Sequence, residues 1–148
     1  MCPPAWRQAM IAAQRLLDLA QVRRVRDRIE RDLTRPLDVE ALAREAGMAP
    51  GLLASRFADA YGHSPYAYLT VRRIERAMAL LRHGDHSPAG LCLAVGCPST
   101  AVLVTRFTEL AGMTPEAYRR RAAAGSAGLP RCVAAAPASA QAVRGRPA

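Results

Sequence analysis

Lysine is missing from this chain. All 21 basic residues are Arg, which together with the abundance of Ala points to a GC-rich coding sequence rather than to a mode of binding. Acidic residues run out at Glu116, while Arg119, Arg120, Arg121, Arg131, Arg144 and Arg146 follow it. Residues 1–116 therefore hold 15 Arg against 12 carboxylates, a balance of +3 within a formal total of +9. The compact part is mildly basic and the tail strongly so. Metal-type cysteine spacing is also lacking: Cys2, Cys92, Cys97 and Cys132 include no Cys-x2-Cys pair. Cys92 falls at a small-residue core position and Cys97 just beyond it, so inert thiols are expected there. His83, Asp85 and His86 share a short connector without a fourth ligand, and no metal or other cofactor is expected. Gly-rich phosphate loops, nucleophile elbows and paired carboxylates do not occur, so no enzyme is expected.

No uninterrupted apolar run is present either. The 20 uncharged residues from His86 to Thr105 are broken by Pro88, Gly90, Gly96 and Pro98. The first residues lack a basic start followed by an apolar core. A soluble, cytoplasmic protein with no membrane partner is the expectation. The 148 residues suit a single domain with a modest core.

What is present is organised around Ser64 to Gly84. Ser64 suits the N-cap, Pro65 the first helical position, and Gly84 the stop. Ala67, Val71, Ile74, Met78 and Leu81 form one apolar row, and Tyr66, Leu69, Ala77 and Leu80 an adjacent one. Arg72, Glu75, Arg76 and Arg82 take the remaining face. So wide an apolar stripe predicts a rod with a small helical bundle on each flank.

The flanks are copies of each other. Leu42 and Gly47 match Leu91 and Gly96 at an offset of 49; Leu53, Arg56, Phe57, Gly62, Pro65 and Tyr68 match Leu103, Arg106, Phe107, Gly112, Pro115 and Tyr118 at an offset of 50. Each copy reads as a short helix, a turn opened by Gly, and a second helix held by Leu and Phe. The pattern is a helix-turn-helix present twice, with one extra residue in the second turn.

Arg35-Pro36-Leu37, Leu42-Ala43, Phe57 with Gly62-His63-Ser64-Pro65, Arg73-Ile74 with Ala77 and Leu80-Leu81, and Phe107 with Gly112-Met113-Thr114-Pro115 and Tyr118-Arg119 resemble the DNA-binding domain of the AraC/XylS transcription regulators. The resemblance covers roughly residues 21 to 120. It implies an all-α fold of two helix-turn-helix subdomains, homeodomain-like three-helix units, joined by a long central helix. It also implies a bacterial, sequence-specific DNA-binding transcription regulator with double-stranded DNA as partner and RNA polymerase as a candidate second one. Gly51, Ala54 and Ser55 on the helix Pro50 to Tyr61, and Thr100, Ala101, Val104 and Thr105 on the helix from about Ser99 to Ala111, become the base-reading positions. Long polar side chains are absent there, and Arg stands one step later in both copies, at Arg56 and Arg106. Hydroxyls and methyl groups can meet thymine methyls or bond one acceptor, but cannot form the bidentate Arg-to-guanine contact. Arg56, Arg72, Arg76 and Arg106, with the N–H groups opening the two recognition helices, are the phosphate candidates. Arg73 interrupts the apolar row and is expected to bond internally to a carboxylate or carbonyl. The rod, at 1.5 Å rise per residue, spans roughly 27 Å, so elements at its ends could enter successive major grooves about 34 Å apart.

Residues 4–20 read as an amphipathic helix with Trp6, Met10, Ala13, Leu17 and Ala20 on one side. It either packs on the domain or meets a partner regulator or a second copy. A further helix, 21–33, places Val22, Val25, Ile29 and Leu33 inward. The organisation expected is thus an N-terminal helix over 1–20, a bipartite domain over 21–121, and a disordered basic tail over 122–148. Two other classes stay open: a degenerate module that pairs with another regulator without reading DNA, and a thiol sensor using Cys92 or Cys97.

Overall fold

The structure, a computed structural model, describes residues 4–84 and 86–125. Cys2, Asp85, Cys132 and the tail from residue 126 onward lie outside the described residues. The described chain forms α1 (Pro4–Arg31), α2 (Val39–Ala46), α3 (Pro50–Tyr61), α4 (Pro65–His83), α5 (Pro88–Val95), α6 (Thr100–Ala111) and α7 (Pro115–Ala123). Five helices begin at a side-chain oxygen that accepts the N–H three residues on: Asp38 from Ala41, Ser64 from Ala67, Ser87 from Gly90, Ser99 from Val102 and Thr114 from Ala117. Each such cap contributes about 1 kcal/mol. Helix starts are therefore written locally, in residues that prefer the cap to the helix interior.

One expected break is missing. The helices expected over 4–20 and 21–33 are a single helix of 28 residues, because nothing between Ala5 and Arg31 interrupts it. The apolar side changes instead. Val22, Val25 and Ile29 face the core, while Trp6, Met10 and Leu17 lie roughly 110° round the helix at 3.6 residues per turn. The first half of α1 therefore turns its apolar face away from the domain. Gly84 ends α4 as expected, in extended backbone at φ −172° and ψ 171°. Tyr66, read as part of an apolar row of α4, is exposed.

The rod carries two cores. Leu69 closes a cluster with Val22, Val25, Ile29, Leu33, Leu42, Ala43, Leu53 and Phe57. Val71, Ile74, Ala77, Met78 and Leu81 close another with Leu91, Cys92, Val95, Leu103, Phe107, Ala111 and Tyr118. Each cluster has its aromatic anchor: Phe57 lies against Tyr61 and Tyr68, and Phe107 meets Tyr118 edge-on at 5.5 Å. Leu103 is buried in the second core at the place that Leu53 holds in the first.

The segment between α1 and α2 joins the halves. The buried Arg73 guanidinium of α4 donates to the carbonyls of Leu33 at 2.9 Å and Arg35 at 2.7 Å. Between them, Thr34 lies directly under Gly96, the residue that ends α5 at φ +80°. A Cβ on Gly96 would come within 2.5 Å of Thr34 backbone. Gly47, its counterpart in the first half, has a similar left-handed φ of +68° but open space around it. The two glycines thus separate two effects. Gly47→Ala should cost about 1–2 kcal/mol, the left-handed term alone. Gly96→Ala should cost at least about 2 kcal/mol more, because backbone must move. Urea unfolding of both variants checks this, and equal losses would show that the contact with Thr34 carries no weight.

Candidate nucleic-acid interface

Helices α3 and α6 occupy equivalent places, each committing its Leu and Phe inward, Leu53 with Phe57 and Leu103 with Phe107. That commitment fixes which residues face out. Gly51, Ser55, Thr100, Ala101, Val104 and Thr105 are exposed as expected, whereas Ala54 is half-buried. The structure instead exposes Leu52 and Val102, each one residue before the buried Leu. Neither is among the outward positions expected from the sequence. The repeat carries the missing signal, because both sit at the same position of their helix and neither half has an inward slot left for them. Each recognition helix thus opens with a small or hydroxylic residue beside an exposed branched aliphatic side chain.

The helix starts differ between the halves. Ser99 occupies the first open N–H groups of α6, whereas α3 begins after Ala49 with no side-chain cap and with Pro50 at its first turn. The uncapped N–H groups of α3 remain available to an anionic oxygen.

The four phosphate candidates separate sharply. Arg56 is half-buried and holds Asp18 of α1 at 2.9 Å. Arg106 is exposed and holds Glu109 at 2.9 Å on its own helix. Arg76 is exposed and forms no ion pair among the described residues. Arg72, its side chain 40% exposed, belongs to an ion-pair framework: its Nε donates to Glu30 at 2.7 Å and its Nη1 to Glu75. Its donors thus already have carboxylate partners on α1 and α4, and, like Arg56 and Arg106, it could meet a phosphate only by exchanging one of them.

Glu30 is the centre of that framework. Tyr68 donates to it at 2.6 Å from α4, and Arg72 reaches it from the same helix. Burial pushes the Glu30 carboxyl up, but the hydrogen bonds from Arg72 and Tyr68, with the charges of Arg72 and Arg26, outweigh it and hold the group below 4.5. Burial and the bond to Glu30 raise the Tyr68 hydroxyl, while the Glu30 hydrogen bond raises the Arg72 guanidinium. Burial lowers Arg73. All of these groups keep their neutral-pH charge states, so the framework is a fixed brace.

The thiol-sensor reading has little chemistry behind it. Cys92 is buried and donates its S–H to the Cys97 carbonyl at 3.1 Å. Burial pushes the Cys97 thiol up, against the pull of Arg73, which favours the unreactive protonated form. No group of three or more potential metal-ligating side chains occurs among the described residues. No single described helix is long and apolar enough to cross a membrane, and the uncharged run is divided into α5 and α6, bent by 81°.

Comparison with known proteins agrees with this geometry. Residues 42–121 match a family described as a helix-turn-helix domain. Over 92 residues the chain is 37% identical to a Streptomyces lividans protein and 35% identical to a Streptomyces antibioticus protein, both described as AraC-like transcription regulators. Each of these matches takes in 62% of this chain and 30% of the relative, so the chain spans less than a third of those proteins. Among solved structures, the DNA-binding domain of AdpA in complex with a target DNA superposes with a TM-score of 0.67 at 28% identity, covering 72% of this chain and 96% of that one.

The Glu30 brace has a pH signature. A carboxyl held below its unfolded value contributes stability above that value and loses it as the pH falls through the folded one. The stability difference between the wild type and Glu30→Gln should be full at pH 7 and shrink as the pH drops below about 4.5, in unfolding titrations across that range. A difference that stays constant down to pH 3 would show that Glu30 is not bound as its geometry indicates.

Proposed function

The chain belongs to the AraC-type helix-turn-helix family, and on that premise we propose that it is a sequence-directed DNA-binding transcription regulator whose two recognition helices read adjacent major-groove segments. The observation that carries this is the pairing of α3 and α6 as equivalent elements on one rigid rod, each presenting a short outward row to a groove about 12 Å wide. Base reading falls to Gly51, Leu52 and Ser55 in the first half and to Thr100, Ala101, Val102, Val104 and Thr105 in the second. Ala54, half-buried, contributes shape rather than a donor. Such a set recognises thymine methyls and single acceptors, and leaves much of the selectivity to DNA shape.

Positioning on the backbone falls first to Arg76 and to the uncapped start of α3. Arg56 and Arg106 reach phosphates only by exchanging a carboxylate partner for one, so they contribute less than free guanidinium groups would. The similarity to the AdpA domain solved with a target DNA supports the choice of double-stranded DNA as partner. RNA polymerase is the second partner this reading admits, and the bacterial cytoplasm the compartment. The rival reading, a module that pairs with a regulator without touching DNA, gives no reason for the matched outward rows on α3 and α6.

Selection of bound sites from a random duplex library tests the proposal. The expected product is one motif with two blocks about one helical turn apart. Ser55→Ala should relax one block and Thr105→Ala the other, while Arg76→Ala should weaken all sites alike and reduce the salt slope by about 1. Binding without any motif, or a motif indifferent to both substitutions, would refute the reading.

A further inference from the structure

The first half of α1 is the part of the fold that the domain does not use. Trp6, Met10, Leu16 and Leu17 are 56–68% exposed. Their arc faces away from the core that Val22, Val25 and Ile29 close. Asp18, on the inward side, ties this half to the rest through Arg56. The domain's own helices therefore cannot cover this face without breaking α1.

The pattern of sizes along the face indicates what does. Trp6, Met10, Ala13, Leu17 and Ala20 recur at alternating steps of four and three, the spacing of a two-helix seam, and Arg24 takes the next position. Run the same helix against itself in the opposite direction, with positions that sum to 30 facing one another. Met10 then meets Ala20 and Leu17 meets Ala13, a large side chain against a small one in each layer. Trp6 meets Arg24, which lines a cleft of about 470 Å³ together with Val25, Leu42 and Arg44. A guanidinium over an indole face is a favourable contact. The two-fold axis passes at position 15, so Leu16, on one flank of the seam and one residue from the axis, approaches its own copy; Arg15 points to the opposite side of the helix, and Arg7 and Arg23, which share a level, fall on opposite flanks. A parallel pairing in register would instead stack Trp6 on Trp6, Ala13 on Ala13 and Arg24 on Arg24, with bulges, voids and repulsion in turn.

We propose that this face is the interface with a second copy of the chain, packed as an antiparallel helix pair centred between Gln14 and Leu16. The pair buries roughly 1,000 Å² in total, at the low end for a specific interface, so a reversible dimer with a dissociation constant on the order of 10 μM is expected. The helix needs no partner to form, because its second half is already folded into the domain.

Sedimentation velocity from about 1 to 200 μM, without DNA, tests the inference independently of any operator. The wild type should shift from monomer to dimer over this range, with the emission of its single Trp moving to the blue. Leu17→Arg should raise the dissociation constant at least tenfold and abolish the Trp6 shift, with an unchanged helical circular dichroism spectrum. Orientation is read by disulfide trapping in a chain carrying Cys2→Ser and Cys132→Ser: Leu16→Cys should cross-link to itself and Trp6→Cys should not. A monomer at every concentration, or a dimer indifferent to Leu17→Arg, would overturn the proposal and assign the face to another partner. Cross-linking through Trp6→Cys rather than Leu16→Cys would overturn the antiparallel arrangement.

Discussion

The hydrogen bonds from Arg73 to the carbonyls of Leu33 and Arg35 are the constraint on which the arrangement of the two halves depends. A guanidinium only 8% exposed could not remain there unpaired, since the desolvation of an unmatched charge costs several kcal/mol. Its partners are two main-chain oxygens in the segment that leaves α1 for α2. Pinning that segment holds Thr34 against Gly96, so the turn of the second helix-turn-helix rests on the backbone of the first. The rod, the first bundle and the second turn meet at one point. Because α4 also enters both cores, through Leu69 on one side and Val71 to Leu81 on the other, neither half can rotate without opening a core.

Charge is distributed in the same spirit. A chain with only Arg as its cation uses several of them as braces: Arg72 on Glu30 and Glu75, Arg56 on Asp18, Arg73 on the main chain. The outward rows of α3 and α6 are left with small, hydroxylic and branched aliphatic side chains. In the proposed DNA-binding role, such a surface makes few strong hydrogen bonds to bases, and precision comes from the fixed relation between two weak readers. A loose linkage would lose the benefit of the second reader, which gives the Arg73 brace its functional meaning.

Much of this was legible in the sequence, and the reasons differ by element. The helix start at Ser64 is local chemistry, and the doubled pattern of Leu, Phe and Gly discloses two equivalent units. Arg73 as an internal donor followed from its place in an apolar row. What failed was long-range. Arg56 finds Asp18 across 38 residues and Arg72 finds Glu30 across 42, and no period in the chain encodes either pair. The division of α1 was misjudged because a change of apolar side resembles a change of element, although no Gly or Pro follows Pro4 within the helix. Leu52 and Val102 were missed because exposure depends on which neighbours have already filled the core, not on side-chain type.

The most direct test of the account is the dependence of affinity on the spacing between the two halves of the selected site. Each inserted base pair moves the second block by about 3.4 Å and a tenth of a turn, so a rigid reader cannot follow it. The account predicts that one or two inserted base pairs reduce affinity to that of a site with a single block. It predicts as well that a turn of about 10 base pairs, which restores the face but not the distance, fails to recover it. Equal affinity across these spacings would show that the halves read independently, and would contradict the role assigned to the Arg73 brace.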